Sequence, residues 1–289
     1  MKNLKLKLVL PILLLFLNPD VYGQSYKVIY EMKWKPAKNA TEYKKELTAL
    51  ILNGTEPSFF ESYEKFRKDS LKTKFIADYE KNGSKGPLRI PSSEANVMYN
   101  SFIIKNVLEK NISVEESFFV KTFKVNYNCS QNWKISNGES DVIFGYKVQK
   151  ATTSFGGRKW TAWFTPEIPV QDGPYKFYGL PGLILKISDS SDEYSFEIKG
   201  ITKEENDLKF RNLGNGKPVE LSSKQYRKFW KEYQKQPSMI LENLNTEQTT
   251  YVINGKDVNS RNVKDDYNKK EWEVMKNFEN PIELTYDCE

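Results

Sequence analysis

The stretch YKVIYEMKWK, Tyr26–Lys35, sets Tyr26, Val28, Tyr30, Met32 and Trp34 on one side and Lys27, Glu31, Lys33 and Lys35 on the other. A period of two is the mark of a strand with one apolar and one wet face. The same alternation returns in Phe123, Val125 and Tyr127, in Val142, Phe144, Tyr146 and Val148, and in Trp160, Ala162 and Phe164. It continues in Leu183, Leu185 and Ile187, in Tyr194, Phe196 and Ile198, and in Ile282, Leu284 and Tyr286. Asn137-Gly138, Gly156-Gly157 and the polar run Ser188 to Glu193 supply turns between them. Short links between consecutive strands make neighbours in sequence neighbours in the sheet. The expected fold is mainly β: a curved antiparallel meander sheet, open and half-barrel-like, with one covering amphipathic helix.

That helix is expected from Ser222 to about Leu244, where Tyr226, Phe229, Trp230 and Tyr233 fall at i, i+3, i+4 and i+7 among lysines and Arg227. Ser222 or Ser223 can cap its start and Pro237 ends or kinks it. A sheet with one apolar face needs a cover, which favours this role over a helix lying on a membrane or a partner. Thr202–Pro218 reads as a polar loop, and Asn245–Glu271 as a second one with a small hairpin at Asn254-Gly255.

Met1–Lys7 carry three lysines, Leu8–Leu17 are apolar apart from Pro11, and Val21 and Gly23 stand at −3 and −1 before Gln24. This is the layout of a cleaved secretory signal, and the apolar run is too short to span a bilayer. Residues 1–23 are therefore expected to be a signal peptide and 24–289 a single mainly-β domain with a loop and helix insertion at about 202–270. The destination is the periplasm or beyond it, with no integral membrane segment left after cleavage. The net charge of +6 is spread along the chain, which argues against a nucleic-acid partner. The chain has no histidine, which excludes Ser-His-Asp and Cys-His nucleophile systems and the usual zinc sites. No cofactor and no metal are expected. In an oxidising compartment Cys129 and Cys288 read most simply as one disulfide, although sequence does not fix the Cα separation on which a bridge depends.

Within DGPYKFYGLPGLILKISD, Asp172–Asp189, Pro181-Gly182 suits the centre of a type II turn. The unbroken Leu183-Ile184-Leu185 implies a strand buried on both faces. Gly179-Leu180-Pro181-Gly182-Leu183-Ile184 also carries a resemblance. It spells the hexapeptide of the GLPGLI family of Bacteroidetes-type bacteria, and the surroundings from Trp133 to Ile198, among them Gly156-Gly157-Arg158-Lys159-Trp160 and Gly173-Pro174-Tyr175-Lys176-Phe177, resemble that family too. Val148 stands where the family often has cysteine. The resemblance implies an exported protein of uncharacterised function and brings no established active site.

Arg158, Trp160, Trp163, Glu167, Asp172, Tyr175 and Tyr178 lie close in sequence and combine aromatic surfaces with a cation and two carboxylates, a palette for a peptide-like or sugar-like ligand. The competing reading makes them a structural knot under the two proline turns. Glu167 and Asp172 form a hydrolytic pair only if their side chains converge, and no catalytic residue is assigned. Asp189, Asp192 and Glu193 lack the spacing of a calcium loop and read as a hairpin turn. Two functions from different classes remain. One is a non-enzymatic binding or carrier module for an apolar or peptide-like ligand, with a cavity lined by residues such as Trp34, Phe123 and Trp160. The other is an adaptor that docks an outer-membrane or secretion partner on the cell envelope, with a filled core.

Overall fold

The structure, a computed structural model, describes residues 25–54, 57–83, 97–119, 121–128, 130–204, 217–241, 251–253, 256–258 and 260–285. The expected signal segment, Cys129 and Cys288 lie outside these residues. The elements in chain order are β1 (Ser25–Trp34), β2 (Lys44–Asn53), β3 (Ser58–Ser62), α1 (Tyr63–Lys81), β4 (Phe102–Asn106), β5 (Asn111–Phe118) and β6 (Lys121–Asn128). Then follow β7 (Lys134–Ile143), β8 (Tyr146–Phe155), β9 (Arg158–Thr165), β10 (Leu183–Asp189), β11 (Tyr194–Glu204), β12 (Val219–Leu221), α2 (Ser223–Lys235), β13 (Tyr251–Ile253), β14 (Lys256–Val258) and α3 (Ser260–Lys276).

The main sheet runs β12-β6-β5-β4-β3-β2-β1-β11-β10-β9-β8-β7. It is two meanders, β1–β6 and β7–β11, sewn together where β1 pairs antiparallel with β11. The sheet stays open, with β12 and β7 as its outer strands, and β12 joins β6 in parallel. The alternation in β1 is realised: Val28, Tyr30, Met32 and Trp34 are buried and their neighbours half-buried. Leu183, Ile184 and Leu185 are buried without interruption inside the sheet.

One apolar face of the sheet is covered by the loop between β9 and β10. Ile168, Tyr175, Phe177 and Leu180 enter the same core cluster as Tyr30, Phe60, Trp160 and Phe196. Phe177 meets the Trp160 ring edge-on at 4.7 Å and Phe155 at 5.5 Å, contacts each worth about 0.5–1.5 kcal/mol beyond area burial. A smaller cluster on the other face packs Phe59 and Phe102 against Tyr63 and Phe66 of α1. At the β5–β6 end, Phe118 and Phe123 pack with Phe229, Trp230 and Tyr233 of α2, and the 3-10 turn Pro237–Leu241 and Val263 of α3 complete that layer.

Helix α2 starts as expected, with a capping box between Ser222 and Gln225. Two further helices flank the sheet. In α3, Val263, Tyr267 and Met275 supply the apolar positions within a polar segment, which is why the region read as a loop. The small hairpin expected there is present as β13 and β14.

Three expectations are corrected. The run Val142–Val148 is a hairpin corner and not one strand: Phe144 and Gly145 take φ of 52° and 84° and turn β7 into β8. Asn137-Gly138 lies within β7, where the register with β8 shifts and Gly138 has φ 83°, a bulge in place of a turn. Ile282 and Leu284 form no strand, because the segment is held by Arg158, which takes the Pro281 and Ile282 carbonyls, and by Gly156 O, which accepts from Leu284 N at 2.7 Å.

The Pro181-Gly182 turn is tighter than type II. Gly182 N donates to Leu180 O at 2.8 Å, a three-residue turn about Pro181, and Leu183 N donates to Ile168 O at 3.0 Å. A Cβ on Gly182 (φ 157°) would sit 2.1 Å from Thr165 O, so the glycine is required by a backbone crossing. Gly179 also has positive φ, 94°, yet its Cβ would meet only the Trp133 ring at 3.9 Å. Gly182→Ala is expected to cost roughly 3 kcal/mol or more and Gly179→Ala roughly 1–2 kcal/mol. Urea unfolding midpoints of the two variants check the order.

Candidate functional site

Three polar anchors fix the covering loop and the C-terminal segment that runs beside it. At the first, β3 and β4 place Ser58 and Lys105 directly opposite each other. Both side chains meet Asp172: Lys105 Nζ is ion-paired to Oδ1 and Ser58 Oγ donates to Oδ2. Lys105 Nζ also donates to Gly173 O, Gly173 N donates to Asp172 Oδ1 at 2.7 Å, and Ile184 N donates to Asp172 O at 3.0 Å. The Lys105 and Asp172 side chains are 0% and 2% exposed. Burial pushes the Lys105 ammonium below its usual range, partly offset by Asp172.

Arg158, at the start of β9, makes the second anchor. Its Nε donates to Ile282 O at 3.0 Å, Nη1 to Asp189 at 2.8 Å and Glu193 at 2.6 Å, and Nη2 to Asn280 Oδ1 and Pro281 O, both at 2.8 Å. All five guanidinium donors are used. The acidic turn, weighed above as a calcium loop, thus ligates this buried cation through Asp189 and Glu193. Some burial of Glu193 opposes ionisation, but the Arg158 and Asn280 hydrogen bonds outweigh it and hold the carboxyl below its usual range.

The third anchor adjoins an opening. Glu283 accepts from Tyr175 Oη and pairs with Lys176 Nζ at 2.6 Å, and Lys176 also lies 4.3 Å from the Tyr127 ring centre. Tyr175 has a left-handed backbone, φ 55°. Burial, then Glu283, pushes its hydroxyl well above the usual range. Beside it lies a cleft of about 70 Å³ lined by Ser101, Ile103, Val114, Glu116, Val125, Tyr127, Tyr175, Lys176 and Tyr226. Its sides come from the sheet (β4, β5 and β6), from the loop, and from α2 through Tyr226. Glu116 accepts from Ser101 Oγ at 2.8 Å and from Tyr226 Oη.

The seven residues singled out in sequence divide as follows. Trp160 is buried and donates to Phe155 O at 2.9 Å. Trp163 is half-buried against the core. Glu167 is exposed and accepts from Lys147 N at 2.9 Å, whereas Asp172 is buried against Lys105, so the two carboxylates do not work as a pair. The Tyr178 backbone is held by Gln131 Oε1 and Trp133 Nε1. Of the seven, Tyr175 alone lines the cleft. Among the described residues, Trp34, Phe123 and Trp160, expected to line a cavity, each pack on another ring. Trp34 stacks on Phe278 at 5.1 Å, Phe123 packs on Phe229 at 4.6 Å and Trp160 holds Phe177.

Lys105, Ser101, Glu116, Lys176 and Glu283 were not singled out. For Lys105 the signal was present: it continues the apolar face of Ile103 at period two. The residues around Glu116 gave none, since their convergence depends on how loop and helix meet.

The chain matches a family described as "Protein of unknown function (Porph_ging)" over residues 156–186, from the β8–β9 corner to the first half of β10. No curated protein matches the chain in sequence. Among solved structures it is similar to PNGF-II in its C2 and P21 crystal forms, each at 19% identity with a TM-score of 0.49 over 72% of this chain. The chain spans 33% of that protein's chain, about a third of its length. Among the described residues no helix is long and apolar enough to cross a membrane.

Removing the Arg158 guanidinium strands Asp189 in the interior, and Arg158→Met is expected to cost about 3–5 kcal/mol. The Glu193 contribution has a defined pH window. Its folded value lies below the ordinary 4.5, so its stabilisation is complete above that pH and is lost as pH falls through the lowered value. The gap in urea midpoint between wild type and Glu193→Gln should therefore be constant near neutrality and close in acid.

Proposed function

We propose that the protein is an exported binding module of the GLPGLI type that accepts one polar group of a peptide-like ligand in the cleft between β5, β6, the covering loop and α2. The observation that carries this reading is the convergence of Ser101, Glu116, Tyr127, Lys176 and Tyr226 on unfilled volume beside the main core. A volume near 70 Å³ is several times the roughly 10–15 Å³ that one water needs on the same measure, so the cleft has room for a polar group such as an amide or a hydroxymethyl. Tyrosine walls offer flat apolar contact, and Lys176 and Glu116 offer a donor and an acceptor. An apolar cargo between loop and sheet would have to displace Phe177 and Leu180, both in the main core.

The adaptor reading is supported by β7. This outer strand is exposed along most of its ten residues, with Val142 exposed near its end and Phe144 exposed in the turn that follows, whereas the opposite edge is a three-residue strand beside α2. A bare edge can accept an extended segment from a partner.

Native mass spectrometry of the protein drawn gently from its own cell envelope separates the two. The cleft reading expects an added mass that vanishes on denaturation, with ligand affinity weakened roughly tenfold in Lys176→Met, the scale of one charge-assisted hydrogen bond. A bare polypeptide mass from the wild type overturns it, and in-cell crosslinking from position 144 then tests the edge.

A further inference from the structure

We propose that Lys105 and Asp172 join in an intramolecular isopeptide bond that forms once the chain has folded. Lys105 Nζ and the Asp172 carboxyl are in direct contact and almost fully enclosed. The carboxyl is gripped at both oxygens, by Ser58 Oγ at Oδ2 and by Gly173 N at Oδ1. Ser58 and Lys105 are held opposite each other by the β3–β4 register, and Asp172 is fixed by its own backbone bond to Ile184. Nucleophile, electrophile and polarising donor are therefore all positioned on rigid backbone. Such placement is worth effective concentrations on the order of 10⁵–10⁸ M in intramolecular reactions.

The enclosure also suits the protonation states that the reaction needs. Desolvation drives the Lys105 amine towards its neutral form. An enclosed ion pair contributes little more than a well-packed apolar pair of the same volume, so electrostatic stability alone is a weak reason for a lysine and an aspartate here.

The step balances without an oxidant, reductant or co-reactant. A proton passes from Nζ to Oδ1, leaving an amine and an acid. The Nζ lone pair adds to Cγ, and the negative charge that develops on Oδ2 is met by the Ser58 hydroxyl. The Cγ–Oδ1 bond then breaks. The two protons lost by the nitrogen leave on Oδ1 as water, and the Nζ–Cγ bond remains as an amide. Its oxygen, Oδ2, keeps the Ser58 hydrogen bond, and its single N–H can keep Gly173 O as acceptor.

The test is the intact mass of the full-length exported chain under denaturing conditions, followed by proteolysis and sequencing of the fragments. The expected result is a deficit of about 18 Da, one water, with a branched peptide that links the Lys105 segment to the Asp172 segment. Lys105→Arg should restore the full mass, and Ser58→Ala should lower the linked fraction at equal time after synthesis. A full wild-type mass with Lys105 free for proteolysis overturns the proposal. So does a water loss confined to Asp172-Gly173 with Lys105 unlinked, since that is an aspartyl succinimide.

Discussion

An open sheet with an apolar face has to hide that face, and here the cover is the loop 166–182 between two neighbouring strands, β9 and β10. A helix brings its own hydrogen bonds to such a task, whereas a loop brings unpaired amides and carbonyls. The polar anchors follow from that difference. Asp172 collects Lys105, Ser58 and Gly173 N, and its carbonyl takes Ile184 N. Trp133 and Gln131 satisfy the loop backbone at Tyr178 and Lys176. With its backbone satisfied, the loop can present Ile168, Phe177 and Leu180 to the core as a helix would.

Arg158 extends the same logic to the C-terminal segment. Among its described residues that segment has no ladder of its own, and it is held by the Arg158 guanidinium, by the Tyr194 hydroxyl on Asn280 O at 2.6 Å and by Asn280 N on Pro36 O at 2.9 Å. It passes so close to the β8–β9 corner that a Cβ on Gly156 would lie 2.8 Å from Glu283. The Gly156-Gly157 pair therefore serves the hairpin and the crossing together. Glu283, delivered by this segment, completes the third anchor beside the cleft, so the C-terminal strap and the covering loop shape the cleft jointly.

Most of the sheet was legible because period-two alternation and turn chemistry are local. Where a glycine interrupts an alternating run, the local signal is ambiguous. Asn137-Gly138 and Phe144-Gly145 both permit a turn, and the choice fell to the second because the register across β7 and β8 absorbs the first as a bulge. Helix α1 escaped notice because it buries no residue fully and leaves Leu71 and Phe75 exposed, so its apolar positions give little amphipathic contrast. Ion pairs of Lys65 with Glu61 and Asp69 support its first turns. The candidate site was the least legible part. Arg158, Trp160 and Asp172 have the residue types of a ligand site, but each is consumed by the fold.

The hexapeptide at residues 179–184 is accounted for by backbone geometry and packing, residue by residue. Gly179 takes a positive φ, Leu180 fills the core, Pro181 centres the tight turn, Gly182 allows the chain to cross Thr165, and Leu183 and Ile184 begin a strand whose first three residues are buried. Every position has a steric or packing duty, and none presents a reactive group. The matched stretch, residues 156–186, contains Arg158, Asp172, Tyr175 and Lys176, whereas Ser101, Glu116, Tyr127 and Tyr226 of the cleft lie outside it. A chain that kept the motif and its anchors would keep the covered sheet while varying most of the cleft's sides. On this architecture the motif specifies how the sheet is closed over, and the cleft is lined by residues that the hexapeptide does not contain.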